Sequence, residues 1–216
     1  MRAFAEPFAP LSEPARRRSR QAALAEAPRL PHSPGDVWIF GYGSLLWDAP
    51  FPQQQASPAR LTGWRRAMCV WSALARGTPA LPGLSLGLVR GGACDGVALR
   101  IAAEDLDEAM PRIWQREMWT DIYEPTWVSL AIDGAAVPAL TFTVNEASRQ
   151  FTGDLSQAQV VEHIALAHGE RGPCRDYLSN TVAKLQSMGI KDGYLEDLDD
   201  AVAEAARRAD PRHDGR

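Results

Sequence analysis

Strand-forming and helix-forming residues are segregated along this chain, and that segregation limits the folds open to it. Between Val37 and Val144 the β-branched and aromatic residues gather into six short runs: Val37–Phe40, Arg66–Trp71, Leu84–Arg90, Val97–Ile101, Trp127–Ile132 and Val137–Val144. The last two flank Asp133-Gly134, the dipeptide of a tight hairpin turn. One helical stretch, Asp105–Met118, interrupts them. After Asp154 the apolar spacing is helical, at Ser156–His168, Arg175–Met188 and Leu195–Arg207, with Gly169 and Gly189 as stops. Strands that cluster and helices that cluster predict an α+β protein rather than a doubly wound sheet. Six strands in a chain of this size curl into a small mixed β-barrel with flanking helices.

The ends differ from the middle. Residues 1–35 hold six of the 16 prolines and read as a loosely ordered Pro- and Arg-containing extension. One short helix is predicted there, from Ser12 as N-cap to Ala27, stopped by Pro28. The folded domain is expected over residues 36–208, with a disordered tail at 209–216. Seven Trp, running from Trp38 to Trp127, favour a single core over that span. The net charge of −4 argues against nucleic acid or a membrane surface as partner. Three cysteines without a Cys-x-x-Cys spacing argue against a disulfide framework or a structural zinc and point to the cytoplasm. The basic run Arg16-Arg17-Arg18-Ser19-Arg20 is followed by too polar a stretch for an export signal, and reads as a solvated patch.

Two places carry chemistry. In Val37-Trp38-Ile39-Phe40-Gly41-Tyr42-Gly43-Ser44-Leu45-Leu46-Trp47 a buried strand runs into two glycines one residue apart. Gly41 and Gly43 can take positive φ and carry no Cβ, so successive N–H groups can converge on an anionic or carbonyl oxygen. The same pair also suits a plain strand-to-strand turn. Leu46 occupies the third position of a dinucleotide fingerprint, and no Gly-Lys-Ser/Thr follows, so neither nucleotide motif is present. The second place is Glu117. Leu106, Met110 and Ile113 recur at helical spacing, and Glu117 lies four residues after Ile113 on the same stripe. A carboxylate among Trp114, Met118 and Trp119 is costly to ionise, which suits a general base or acid near neutral pH. The alternative is a helix-end Glu bridged to Arg112 or Arg116, or turned to water. Pro111 is expected to kink the helix just before it.

Together these segments resemble a known family. Phe40-Gly41-Tyr42-Gly43-Ser44-Leu45-Leu46-Trp47 is similar to the signature loop of the γ-glutamylcyclotransferases. Trp114-Gln115-Arg116-Glu117-Met118, followed by Tyr123-Glu124-Pro125-Thr126-Trp127, resembles the catalytic-glutamate region of the ChaC-type, glutathione-specific branch. Leu61-Thr62-Gly63-Trp64-Arg65-Arg66, Arg76-Gly77-Thr78, Pro82-Gly83 and Tyr177-Leu178 agree in order, so the resemblance covers residues 36 to 190. It implies cleavage of glutathione to 5-oxoproline and cysteinylglycine, without cofactor or metal, by attack of the substrate's own α-amine on its γ-carbonyl. It implies Glu117 as the base and acid, and Ile39, Phe40, Gly41, Tyr42, Gly43, Ser44 and Leu45 as the γ-glutamyl site. Arg76 and Tyr177 are implied substrate contacts, with a surface-loop role for Arg76 as the alternative. Two positions depart from the pattern. Leu84 stands where a basic residue usually follows Pro82-Gly83, and Cys174 stands where Asn is common. Both bear on how the glycine end of glutathione is held. The rival readings are the same reaction on other γ-glutamyl amides or amines, and a non-catalytic γ-glutamyl-binding module.

The remaining candidates are weaker. His163 and His168 lie five apart, not at the spacing of a metal pair, and read as a surface and a helix-terminal histidine. Cys174 with His168 is a conceivable nucleophile and base. Cys69 reads as a small buried hydrophobe, and Asp197, Asp199 and Asp200 as a solvated acidic face.

Overall fold

The computed structural model describes residues 3–6, 8–28, 30 and 35–209, so the expected tail from 210 onward lies outside the described residues. The chain forms two compact units. One takes Ala9–Ala67 with Gly87–Ser148, and the other takes Met1–Phe8, Met68–Leu86 and Arg149–Arg216.

Five strands close into a barrel in the order β1 (Val37–Gly41), β3 (Gly83–Ile101), β2 (Gln55–Ser72), β4 (Tyr123–Ile132), β5 (Ala135–Val144). It is mixed: β1 lies antiparallel to β3, with Val37 opposite Ile101, and parallel to β5, with Ile39 opposite Leu140. The β4–β5 hairpin turns at Asp133 (φ 49°) and Gly134 (φ 80°), two left-handed residues in succession, as a tight primed turn requires. The runs expected as separate strands at 84–90 and 97–101 belong to one strand. Gly91 (φ 98°) and Gly92 (φ 70°) bend β3 where the sequence suggested a break, so five strands close the barrel instead of six.

In the first unit two helices accompany the barrel. Helix α1 (Glu13–Ala25) begins as expected at its Ser12 cap, whose hydroxyl accepts from Ala15 N. It is held by Trp114 Nε1–H donating to Ser19 Oγ (3.1 Å) and Trp127 Nε1–H donating to Ala23 O (2.9 Å). Helix α2 (Leu106–Glu117) buries Ala109, Met110, Ile113 and Trp114, the predicted stripe, and runs through Pro111 without ending.

The second unit has its own core. Helices α3 (Gln157–Leu166), α4 (Cys174–Ser187) and α5 (Gly193–Ala209) pack on one another. Ile164, Leu178, Leu185, Leu195 and Val202 are buried there, together with Trp71, so the seven Trp do not share a single core. Helix α3 starts with a capping box at Ser156 and Gln159. Gly189 (φ 71°) ends α4, as expected. Gly169 does not end α3. It pairs with Gly172 in a two-residue hairpin, β6 (His168–Gly169) with β7 (Gly172–Pro173), where a Cβ would stand 2.5 Å from Ala75 and Gly77 backbone. His163 is buried rather than surface-facing, with Nδ1 2.8 Å from Pro82 O and its ring edge-on to Trp71 at 4.8 Å. Among the described residues, no helix is long and apolar enough to cross a membrane.

Candidate active site

Strand β1 is buried along its whole length and delivers its last residue, Gly41, into a turn whose Ser44–Leu46 segment is a 3-10 helix. The glycines do not adopt the left-handed conformation expected of them. Gly43 has φ −134°, and Gly41 is not among the positive-φ residues. Gly41 is required for space instead: a Cβ there would lie 3.2 Å from the Cβ of Leu45 as the chain folds back. Gly96 on β3 is more tightly confined, because a Cβ on it would fall 2.5 Å from Gly41 O and 2.8 Å from the Phe40 ring.

Four carbonyls of this segment accept from dedicated donors. Phe40 O accepts from the Thr141 hydroxyl (3.0 Å), and Tyr42 O from Arg66 Nε–H (2.6 Å). Gly43 O accepts from Leu46 N (2.9 Å), and Ser44 O from Asp48 N (3.0 Å). The N–H groups of Gly43, Ser44 and Leu45 donate to no acceptor among the described residues. Gly43 and Leu45 are nonetheless buried. Buried N–H groups are normally paired, so these donors, two of them on buried residues, are available to a ligand oxygen. The segment is a surface of donors.

Glu117 closes α2. Its side chain is 13% exposed, and Oε1 lies 3.3 Å from Arg116 Nε. Of the two arginines expected as alternatives, Arg112 pairs with Glu108 and Arg116 takes Glu117. Arg116 also reaches the far end of the loop, through Asp48 Oδ2 at 3.0 Å and the Asp48 carbonyl. A second link runs through Phe142. Its carbonyl accepts from the Tyr42 hydroxyl (2.7 Å), while its ring meets Trp114 edge-on at 5.4 Å, one turn before Glu117. The loop and the carboxylate-bearing helix end are therefore tied together at two points.

Arg76 and Tyr177 lie in the second unit and belong to a different kind of assembly. Arg76 Nη1 donates to Arg171 O (2.5 Å) and lies 3.5 Å from Pro173 O, so it clamps the β6–β7 hairpin. Its guanidinium stands 5.6 Å from the Tyr177 ring centre. The Tyr177 hydroxyl accepts from Leu86 N at 3.3 Å. One turn earlier on α4, Cys174 Sγ accepts from Leu84 N and donates to Leu84 O, both at 3.2 Å. The two positions that depart from the family pattern, Leu84 and Cys174, thus meet each other, and both are fully buried. Burial pushes the Cys174 thiol from the ordinary 9.0 up to about 11, against the lowering effects of its Leu84 hydrogen bond and the Arg76 charge. A buried neutral thiol with His168 exposed on a hairpin strand is not a nucleophile and base.

Several supporting residues had no role assigned from the sequence: Arg66, Gly96, Thr141 and Phe142. Thr141 carried a usable signal, a hydroxyl at an inward position of an apolar strand. For Arg66 nothing local in the sequence distinguished it from its exposed neighbour Arg65.

Known proteins resemble this chain in sequence and in fold. A family profile described as ChaC-like protein matches residues 37–205. The glutathione-specific γ-glutamylcyclotransferase of Escherichia coli (strain K12) is 36% identical over 180 residues, covering 83% of this chain and 78% of the relative. γ-Glutamylcyclotransferase 2-3 of Arabidopsis thaliana is 32% identical over 177 residues, covering 77% and 88%. Among solved structures, the yeast γ-glutamylcyclotransferase specific to glutathione superposes with a TM-score of 0.76 at 20% identity, over 82% of this chain and 99% of the other, a likeness of fold.

Proposed function

The chain belongs to the ChaC-like family, and from that premise we propose that it is a γ-glutamylcyclotransferase that cleaves glutathione into 5-oxoproline and cysteinylglycine. The substrate's α-nitrogen forms the new bond to its own γ-carbonyl carbon, and the bond from that carbon to the cysteine nitrogen breaks. Nucleophile and electrophile are already tethered, so holding the γ-glutamyl chain folded supplies the orientation term. The α-ammonium, with a pKa of about 8 in a reference amine, must lose a proton, and the departing amine must gain one. The attacking nitrogen sheds a second proton as the lactam forms; Glu117 passes one of the two to the departing nitrogen, and the other leaves to solvent. The donors on Gly43, Ser44 and Leu45 hold the γ-glutamyl head and the oxyanion that develops as the ring closes.

The observation that carries this reading is the donor surface of the loop, tied through Arg116 to the helix end that bears Glu117. Arg76 and Tyr177 enter as substrate contacts through the resemblance. Their observed bonds hold the packing of α4, and Tyr177→Phe separates the two roles. A cytoplasmic setting fits three cysteines that are all buried.

The test is to incubate the purified protein with reduced glutathione, without metal or ATP, and to quantify both products, with Glu117→Gln run beside it. Equal amounts of 5-oxoproline and cysteinylglycine, formed only with Glu117 intact, support reaction and base together. Glutathione left intact while a γ-glutamyl amino acid is consumed keeps the chemistry and refutes the substrate. No turnover of either, with γ-glutamyl binding retained, makes the chain a binding module.

A further inference from the structure

The buried cation beneath the loop has no part in the reaction as described so far. Arg66 is 5% exposed and lies on β2, and its guanidinium bonds two backbone carbonyls. Nε–H donates to Tyr42 O at 2.6 Å, and Nη2–H donates to Asp95 O at 2.7 Å. The Asp95 carbonyl immediately precedes Gly96, whose missing Cβ makes room for Gly41 O. One side chain therefore pins both the loop and the strand on which the loop rests.

The peptide unit that Arg66 grips is the one joining Tyr42 to Gly43. Its carbonyl oxygen faces the guanidinium, and its N–H is the first of the three donors without an acceptor among the described residues. A full positive charge bonded to the oxygen of an amide draws electron density from the nitrogen and makes the N–H a stronger donor. The effect is largest where the local dielectric is low. We propose that Arg66 is a positioning residue for cyclisation, which fixes the Tyr42–Gly43 peptide plane and polarises the Gly43 N–H toward the developing oxyanion. The planar fork suits this task, since two carbonyls at fixed separation are held by one rigid group. Charge appears on the γ-carbonyl oxygen only as the ring closes, so the contribution is greater in the transition state than in the bound substrate. The inference rests on the cyclotransferase reading of the loop.

The experiment compares wild type, Arg66→Gln and Arg66→Lys by steady-state kinetics on glutathione, thermal unfolding, and the Gly43 amide proton resonance of 15N-labelled protein. Removal of a whole oxyanion donor lowers kcat by about a hundredfold to a thousandfold, so weakening one is expected to cost Arg66→Gln at least about tenfold in kcat. KM should change less than about threefold, and the Gly43 amide proton should move upfield. Arg66→Lys should recover part of both changes. A folded Arg66→Gln with wild-type kcat, or with the Gly43 resonance unmoved, overturns the proposal. If the Gln variant does not fold, Arg66→Lys decides, because one ammonium cannot span both carbonyls. Wild-type kcat and an unmoved Gly43 signal there are equally fatal. The amide shift needs no turnover, so if wild type fails to cleave glutathione the functional reading falls while the polarisation is still measured.

Discussion

The turn after β1 and the first turn of α4 use polar groups in opposite ways. At the loop, four carbonyls from Phe40 to Ser44 are taken by protein donors, while the N–H groups of Gly43, Ser44 and Leu45 have no acceptor among the described residues. Around the first turn of α4, the polar atoms of Cys174, Tyr177 and Arg76 hold backbone: Leu84, Leu86, Arg171 and Pro173. The first region presents hydrogen-bonding capacity, and the second consumes it. Unspent donors in a buried setting are costly to folding and useful to a ligand. Spent ones stabilise the fold and have less to offer a substrate. Activity should therefore be sensitive at the loop and Glu117, and stability at α4.

The largest expected effect is at Glu117. Glu117→Gln keeps the shape and removes the proton acceptor, so kcat for 5-oxoproline release should fall about a thousandfold. Of the groups Glu117 meets, Arg116 keeps Asp48 as a partner, and thermal unfolding run beside the kinetics separates lost chemistry from lost fold. A variant with more than about a tenth of wild-type kcat would place the base elsewhere. Next comes Gly96→Ala, which sets a methyl against the Gly41 carbonyl and the Phe40 ring. Backbone cannot step aside cheaply, so urea unfolding should show a loss of about 2–3 kcal/mol. Activity should fall with it, since the displaced atom belongs to the loop. A variant that is destabilised but fully active would mean that the loop tolerates movement, and the contrast between the regions would weaken.

Much of this was legible in the sequence, for reasons that differ by residue. The hairpin at Asp133-Gly134 and the cap at Ser12 are local: the chemistry that forms them lies within four residues. The place of Glu117 at the end of the buried stripe was legible from helical spacing alone, and its pair with Arg116 was one of the expected alternatives. What was hidden depends on chain segments brought together by folding. Gly91-Gly92 looks like a break because a glycine pair is neutral between a turn and a bend, and only the ladder on either side decides. Arg66 looks like its neighbour Arg65 until the barrel sets Tyr42 O and Asp95 O within its reach. His163 looks solvent-facing because its acceptor, Pro82 O, is 81 residues away in sequence. Leu84 and Cys174 looked like independent departures until the structure made them one contact.

A smaller effect tests the α4 side. Tyr177→Phe removes the acceptor that Leu86 N uses, and should cost about 1 kcal/mol by urea unfolding. If Tyr177 acts by holding α4, kcat/KM for glutathione should stay within about threefold of wild type. A tenfold loss with the fold intact would show that the hydroxyl meets substrate, and the two regions would then share the work.

The smallest effect, and the sharpest in its pH signature, belongs to Cys174. With the folded thiol at about 11 and the ordinary value at 9.0, both states keep the proton below pH 9, and this group adds no pH dependence there. As pH rises from 9 towards 11 the unfolded chain ionises while the folded one does not, so stability is lost over that window. Cys174→Asn replaces the thiol with an amide that has one donor and one acceptor for the same Leu84 N–H and C=O, the pairing a neighbouring strand would offer. Its stability at pH 7 should lie within about 1 kcal/mol of wild type, the added volume offsetting the better bonds. The difference between variant and wild type, followed by urea unfolding from pH 7 to 10.5, should grow in the variant's favour above pH 9. The native thiol should also resist alkylation at pH 8 while the unfolded chain reacts. A flat difference across that range, or rapid labelling of the folded protein, would mean that Cys174 is open to solvent and not spent on Leu84. Unchanged kcat/KM for glutathione in Cys174→Asn would then make this departure a substitution of one backbone clasp for another, with no bearing on which γ-glutamyl compound is cleaved.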